Sequence, residues 1–196
     1  MASKTARARP KKSTEGTVSV KRYDGRTVRQ PEAIAFLMRQ HREVEGYFDR
    51  FEHAEADEEK VELVNKICLA LAVHAQIEEE LFYPPAEEKI EEPDLIDEAW
   101  VEHATAKDLI AQLEGMSVGD DYYDAKVKVL GEYIAHHVKE EETELFPQAR
   151  RTDLDLKALG AQLEARSDAL MKSLGDPDSV KTKSKIRETA GAGAHL

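Results

Sequence analysis

Four histidines and two glutamates of this 196-residue chain stand on the apolar stripes of amphipathic helices, where polar residues are rarely found. His41 and His103 are 62 residues apart, while His74 and His137, and Glu78 and Glu141, are 63 apart. The segment from His74 to Pro84 and that from His137 to Pro147 both read His-x3-Glu-x5-Pro. A buried carboxylate without a partner costs several kcal/mol, so six such groups on inward faces need a common explanation. A metal centre supplies one. The i, i+4 spacing sets each His beside its Glu on one helix face, about 5–6 Å apart at Cβ. The histidine can then bind one metal while the glutamate reaches a second and bridges. Imidazole nitrogen mixed with carboxylate oxygen suits iron or manganese better than calcium.

Such a constellation needs helices to hold it, and the hydrophobic pattern provides them. Apolar residues recur at alternating steps of three and four. The first stripe runs Ile34, Leu37, His41, Val44, Phe48, Phe51 and the second Val64, Ile67, Leu71, His74, Glu78, Leu81. The third runs Ile96, Ala99, His103, Ala106, Ile110, Leu113 and the fourth Tyr123, Val127, Leu130, Ile134, His137, Glu141, Leu145. The pattern predicts helices over 31–54, 57–83, 94–114 and 121–146, with a fifth over 153–174. Pro31 suits a first helical turn, Asp57 and Asp94 suit N-caps, and Pro84-Pro85 and Pro147 suit helix ends. Gly115 and Gly119 mark the turn between the third and fourth helices. The 62–63-residue repeat makes two similar hairpins. Face to face they form an all-α, antiparallel up-down four-helix bundle with an additional C-terminal helix and disordered tails. The organisation expected is an arm over 1–30, a bundle over 31–148, a C-terminal helix over 149–175 and a disordered tail over 176–196.

The His-x3-Glu runs that end in Leu-Phe-Tyr-Pro and Leu-Phe-Pro, with His41 before the first and His103 between them, resemble the hemerythrin family, most of all its bacterial HHE cation-binding branch. The resemblance covers roughly residues 31–148. It implies a non-haem centre of two iron ions, oxo- or hydroxo-bridged when oxidised. His41, His74, His103 and His137 would be terminal ligands, and Glu78 and Glu141 would bridge. The chain departs from the oxygen-carrying members at one position. Where they place a second histidine one turn after the third-helix ligand, this chain has Lys107, which does not ligate while protonated. His136, five residues before Glu141, is the candidate to fill that place; as an ordinary neighbour of His137 it would instead point about 100° around the helix. An open coordination position would suit a catalyst or sensor as well as a carrier. The expected function is the binding or sensing of O2, peroxide or NO. The alternatives are a di-iron peroxidase, catalase-like enzyme or ferroxidase in oxidative-stress defence, and a storage or structural metal protein. A ferritin-like carboxylate protein would instead show Glu-x-x-His.

Composition narrows the field further. The single Cys68 excludes an intramolecular disulfide and a cysteine-based zinc or iron–sulfur site, and reads as a small core filler. No apolar run would span a membrane and no secretory signal is evident, so a cytoplasmic location is expected. Net charge is −12, but residues 1–30 carry nine Lys or Arg against two acids. That basic arm reads as a solubilising tail, with nucleic-acid contact as the alternative. Tyr83, Tyr122, Tyr123 and Trp100 read as core or interface aromatics, with donation to the site as the functional alternative. The acidic runs 78–80, 87–92 and 140–144 read as solvated faces. No phosphate loop or nucleophile motif appears, and the oligomeric state is open.

Overall fold

The computed structural model describes residues 32–175, together with the backbone of 22–23 and 26–27. The tail expected over 176–196, most of the basic arm and Pro31 lie outside the described residues. Within the arm, β1 (Arg22–Tyr23) pairs antiparallel with β2 (Arg26–Thr27). The remainder is helical: α1 (Ala33–His53), α2 (Asp57–Ile77), α3 (Tyr83–Glu87), α4 (Asp94–Leu113), α5 (Tyr123–Glu140), α6 (Phe146–Ala149) and α7 (Leu156–Leu174).

Helices α1, α2, α4 and α5 form the bundle, with contacts between α1 and α2, α2 and α4, α4 and α5, and α5 and α1. Helix α7 packs along α1 and α2. Two apolar clusters fill the interior. One gathers Ile34, Leu37, Phe82, Tyr83 and Phe146 with Leu163 and Leu170 of α7. The other gathers Val44, Phe51, Leu63, Ile67, Leu130 and Ile134. Each fully buried side chain of this size stabilises the fold by about 1.5–3 kcal/mol, which offsets the polar groups held inside. The inward stripes are buried as their periodicity predicts, except that Phe48 and Leu81 are half-buried. Phe48 lies over Gly131 of α5; a Cβ there would sit 3.1 Å from its ring, so glycine permits the close approach.

Leu81 has a different cause, and it corrects the expected helix ends. The prolines do not stop the helices. A π-helical turn spans Glu78–Phe82 after α2, and its counterpart spans Glu141–Leu145 after α5. The Tyr83 N–H donates to the Glu78 carbonyl and the Phe146 N–H to the Glu141 carbonyl, both i to i+5. Proline has no N–H to donate and its ring crowds the carbonyl four residues back. Widening the preceding turn relieves the crowding, and the chain continues helically through Pro84-Pro85 to Glu87 and through Pro147 to Ala149. The extra residue rotates the register, so Phe82 and Tyr83 turn inward in place of Leu81. Such π turns are frequent at functional sites. The N-caps also differ from expectation. Asp57 and Asp94 are first-turn residues beside Ala56 and Pro93, neither of which caps through a side chain. The capping side chains are Glu32, which accepts from the Ala35 N–H, and Asp155, which accepts from that of Ala158. No helix among the described residues is long and apolar enough to cross a membrane.

Candidate metal centre

Each bundle helix carries one histidine inward at mid-height, and the two π turns bring a glutamate in beside them. His41 (α1), His74 (α2), His103 (α4), His137 (α5), Glu78 and Glu141 are all buried, Glu78 completely. The His41 and His74 Nε2 atoms are 3.0 Å apart, and those of His103 and His137 3.2 Å apart. Glu78 Oε2 lies 3.1 Å from His74 Nε2 and 3.5 Å from His103 Nε2. Glu141 Oε2 lies 3.3 Å from His41 Nε2 and 3.5 Å from His137 Nε2. Each carboxylate thus reaches a histidine of both hairpins. Two sets of converging donors result, His41–His74–Glu78–Glu141 and Glu78–His103–His137, which share Glu78.

The outer nitrogen of every histidine is tied down. Nδ1 of His41 donates to Glu142 (2.8 Å), that of His74 to Gln40 (2.9 Å), that of His103 to Glu79 (3.0 Å) and that of His137 to Glu102 (2.7 Å). A proton fixed on Nδ1 leaves the Nε2 lone pair aimed at the centre, the orientation that metal-ligating histidines adopt. The rings are also held by stacking, His41 on Phe146 at 5.8 Å and His103 on Tyr83 at 5.4 Å. Glu79 is anchored in turn by Lys107 Nζ at 2.5 and 2.7 Å, and Glu142 by Arg42. Lys107 therefore serves as a clamp on the support of His103.

These supports were not expected from the sequence. Glu79 and Glu142 read as members of solvated acidic runs, yet both turn inward. Their signal is the repeat itself, since each follows a buried glutamate of the cluster. Gln40 and Glu102 likewise each precede a histidine of the repeat. His136, by contrast, is 60% exposed and away from the cluster; its Nε2 faces Glu140 at 3.2 Å. Tyr83 also reaches the cluster. Its buried hydroxyl donates to Glu141 Oε1 at 3.0 Å and lies 3.3 Å from His103 Nε2 and 3.5 Å from Glu78 Oε2.

Electrostatics of the six groups show a site built for more positive charge. Burial drives the Glu78 carboxyl well above its usual range, and the Glu141 charge adds to the rise. Burial also acts on Glu141, but His137, His41 and His74 outweigh it and hold that carboxyl down. Burial would lower His137, yet Glu141, the Glu102 hydrogen bond and Glu78 raise it to about 9. His41 rises for the same kind of reason, burial being outweighed by Glu141, Glu78 and Glu142. Burial pushes His103 down to about 4 against Glu79, and pushes His74 well down with help from the His41 charge. Within each close Nε2 pair, burial thus lowers one histidine while the carboxylates raise the other. Glu78 Oε1 and Glu141 Oε2 are buried and accept no hydrogen bond. A cation would satisfy both oxygens and take up the converging Nε2 atoms, so the donor set fits a metal.

A cavity of about 170 Å³ opens onto the four histidines, with Val44, Leu71, Ala106, Ile110, Ile134 and Val138 among its walls. It is large enough for a diatomic molecule or peroxide beside the cluster, and its walls are mainly apolar.

Comparison with known proteins agrees with this geometry. The model of the hemerythrin HHE cation binding domain matches residues 32–149. A crystal structure of a hemerythrin HHE cation binding domain-containing protein from Mycobacterium kansasii is similar in fold, with a TM-score of 0.66 and 22% identity over 80% of this chain and 99% of that one. No curated relative matches the chain. The buried His/Glu cluster and the matched domain together make this a helical-bundle protein of metal-binding type, and the chain belongs to the hemerythrin HHE cation-binding family.

Proposed function

We propose that the bundle holds two iron ions, His41, His74, His103 and His137 acting as terminal ligands and Glu78 and Glu141 as bridges, and that it binds or senses O2, peroxide or NO. The observation that carries this reading is the convergence of four Nε2 atoms on two buried carboxylates, each of which keeps one oxygen with no hydrogen-bond partner. Two donor sets that share Glu78 are what a pair of ions a few Å apart needs. An oxo- or hydroxo-bridged iron pair supplies a redox-active, Lewis-acidic centre for such ligands. The protein's part is to hold a proton on each Nδ1 through the four outer hydrogen bonds, so that each Nε2 is aimed at the centre, and to present a mainly apolar cavity beside it.

A peroxide-consuming enzyme is the second reading, and Tyr83 favours it. A buried phenol within hydrogen-bond reach of Glu141 is placed to hold or move a proton at Glu141 Oε1. Burial and the two carboxylates raise its pKa well above the usual value, so it acts as a donor throughout the physiological range.

The test is spectroscopic. Reduced protein exposed to O2, peroxide or NO is expected to change its near-ultraviolet and visible spectrum. Full reversal on removal of the gas supports binding or sensing. Repeated peroxide consumption per chain, lost in Tyr83→Phe, supports the enzyme. A spectrum indifferent to all three ligands would overturn both.

A further inference from the structure

Three of the four inward histidines lean on a carboxylate, and the fourth does not. His74 Nδ1 donates to the neutral amide oxygen of Gln40. An amide has two ends, and nothing in α1 or α2 fixes which one faces His74. The amide nitrogen of Gln40, however, donates to Ser167 Oγ at 3.1 Å. Ser167 belongs to α7, beyond the residues that match the family domain. It is a buried polar residue (6% exposed) on the face that packs against α1 and α2, whose other members are Leu159, Leu163, Leu170 and Leu174. A hydroxyl within that leucine row is costly unless it is bonded, and Gln40 is its partner.

We propose that Ser167 is a positioning residue for the centre. By accepting from Gln40 Nε2 it locks the amide so that Oε1 faces His74, which holds the His74 proton on Nδ1 and its Nε2 lone pair inward. The helix appended to the domain thereby sets one of the four ligands and makes it the one with an uncharged support. A carboxylate partner makes an imidazole a stronger donor than an amide does, so His74 is the weakest donor of the set and the ion it serves is the more readily reduced. Arg166, the neighbour of Ser167, secures the same stretch of α7 by gripping Glu80 with two bonds, at 2.7 and 2.9 Å.

The inference rests on the metal-centre reading, and its test is arranged to separate the two. Ser167→Ala is a mild change for the helix, because alanine is the better helix former. The readout is nuclear magnetic resonance of imidazole N–H protons in metal-free and zinc-loaded protein. The expected result is that Ser167→Ala shifts the His74 Nδ1–H signal and speeds its solvent exchange at least about tenfold, leaves the signals of His41, His103 and His137 in place, and is reversed in Ser167→Thr, which keeps a hydroxyl. Zinc is expected to leave the variant about tenfold faster in a chelator chase. In iron-loaded protein, Gln40→Glu is expected to lower the reduction potential. An unchanged His74 signal in Ser167→Ala would overturn the role of Ser167. Failure of wild-type protein to take up zinc or iron would overturn the metal centre instead, and the metal-free spectra would still decide the role of Ser167.

Discussion

In the α1–α2 half of the bundle His74 leans on the amide of Gln40, Tyr83 points its hydroxyl into the cluster, and α7 covers the outer face. In the α4–α5 half the equivalent places hold Glu102 and Phe146, and no further helix among the described residues covers the outer face. The inward histidines and glutamates themselves obey the repeat, and so do the π turns and the carboxylates that follow Glu78 and Glu141. The difference lies in what surrounds them. Val73 and His136 show it most simply, since they occupy the same place in the repeat. Val73 is buried in the cluster that α7 completes, whereas His136 is 60% exposed where no helix among the described residues packs. Under the two-ion proposal, symmetric donors within asymmetric support would give the two ions unequal character.

The severest way to break the comparison is to remove a shared carboxylate. Glu78→Gln and Glu141→Gln each leave histidines of both halves without a partner, and either is expected to reduce bound metal below one ion per chain, measured by elemental analysis. Tyr83→Phe makes the halves alike at this one place and is expected to retain metal but alter the spectrum of the loaded protein. It leaves Glu141 Oε1 without its donor, at a cost of about 1–3 kcal/mol, read by denaturant unfolding of the metal-free protein. Lys107→Ala frees Glu79 and is expected to weaken metal retention about tenfold through His103, with the His41 side unaffected. Proton release sharpens the comparison further. His137, raised to about 9, is protonated in metal-free protein at neutral pH and must lose that proton to bind a metal. Zinc uptake near pH 7 is therefore expected to release protons, and apparent affinity to climb with pH until about 9; calorimetry in buffers of different ionisation enthalpy measures both. The same shift gives metal-free stability a component that is present below pH 6.5 and lost as pH rises through 9. His103, lowered to about 4, contributes the opposite slope, lost as pH falls from 6.5 to 4. His136→Ala is expected to do least, with metal content unchanged and stability within about 0.5 kcal/mol.

The inward histidines and glutamates were legible because burial and period act on single residues: a His on an apolar stripe announces itself. The bundle was legible for the same reason, and the hairpin repeat gave its pairing. The supports were less visible. Glu79 and Glu142 carry the charge of a solvated face, and only the π turns, which the sequence shows as prolines alone, turn them toward His103 and His41. Leu81 fell out of its stripe because the same turn advances the register by one residue. Tyr83 read as a core aromatic with donation to the site as the alternative; its ring does pack there, and that its hydroxyl lands among the buried histidines and glutamates depends on backbone placement no spacing rule carries. Ser167 was invisible, being a small residue whose role exists only across 127 residues of chain.

The most direct test of the account is the metal content of the native chain, purified without a histidine tag, beside its ultraviolet–visible spectrum. The account predicts about two irons per chain, with near-ultraviolet oxo-bridge bands that disappear on reduction. One ion per chain, stoichiometric zinc, or no metal after growth in iron-rich medium would contradict it.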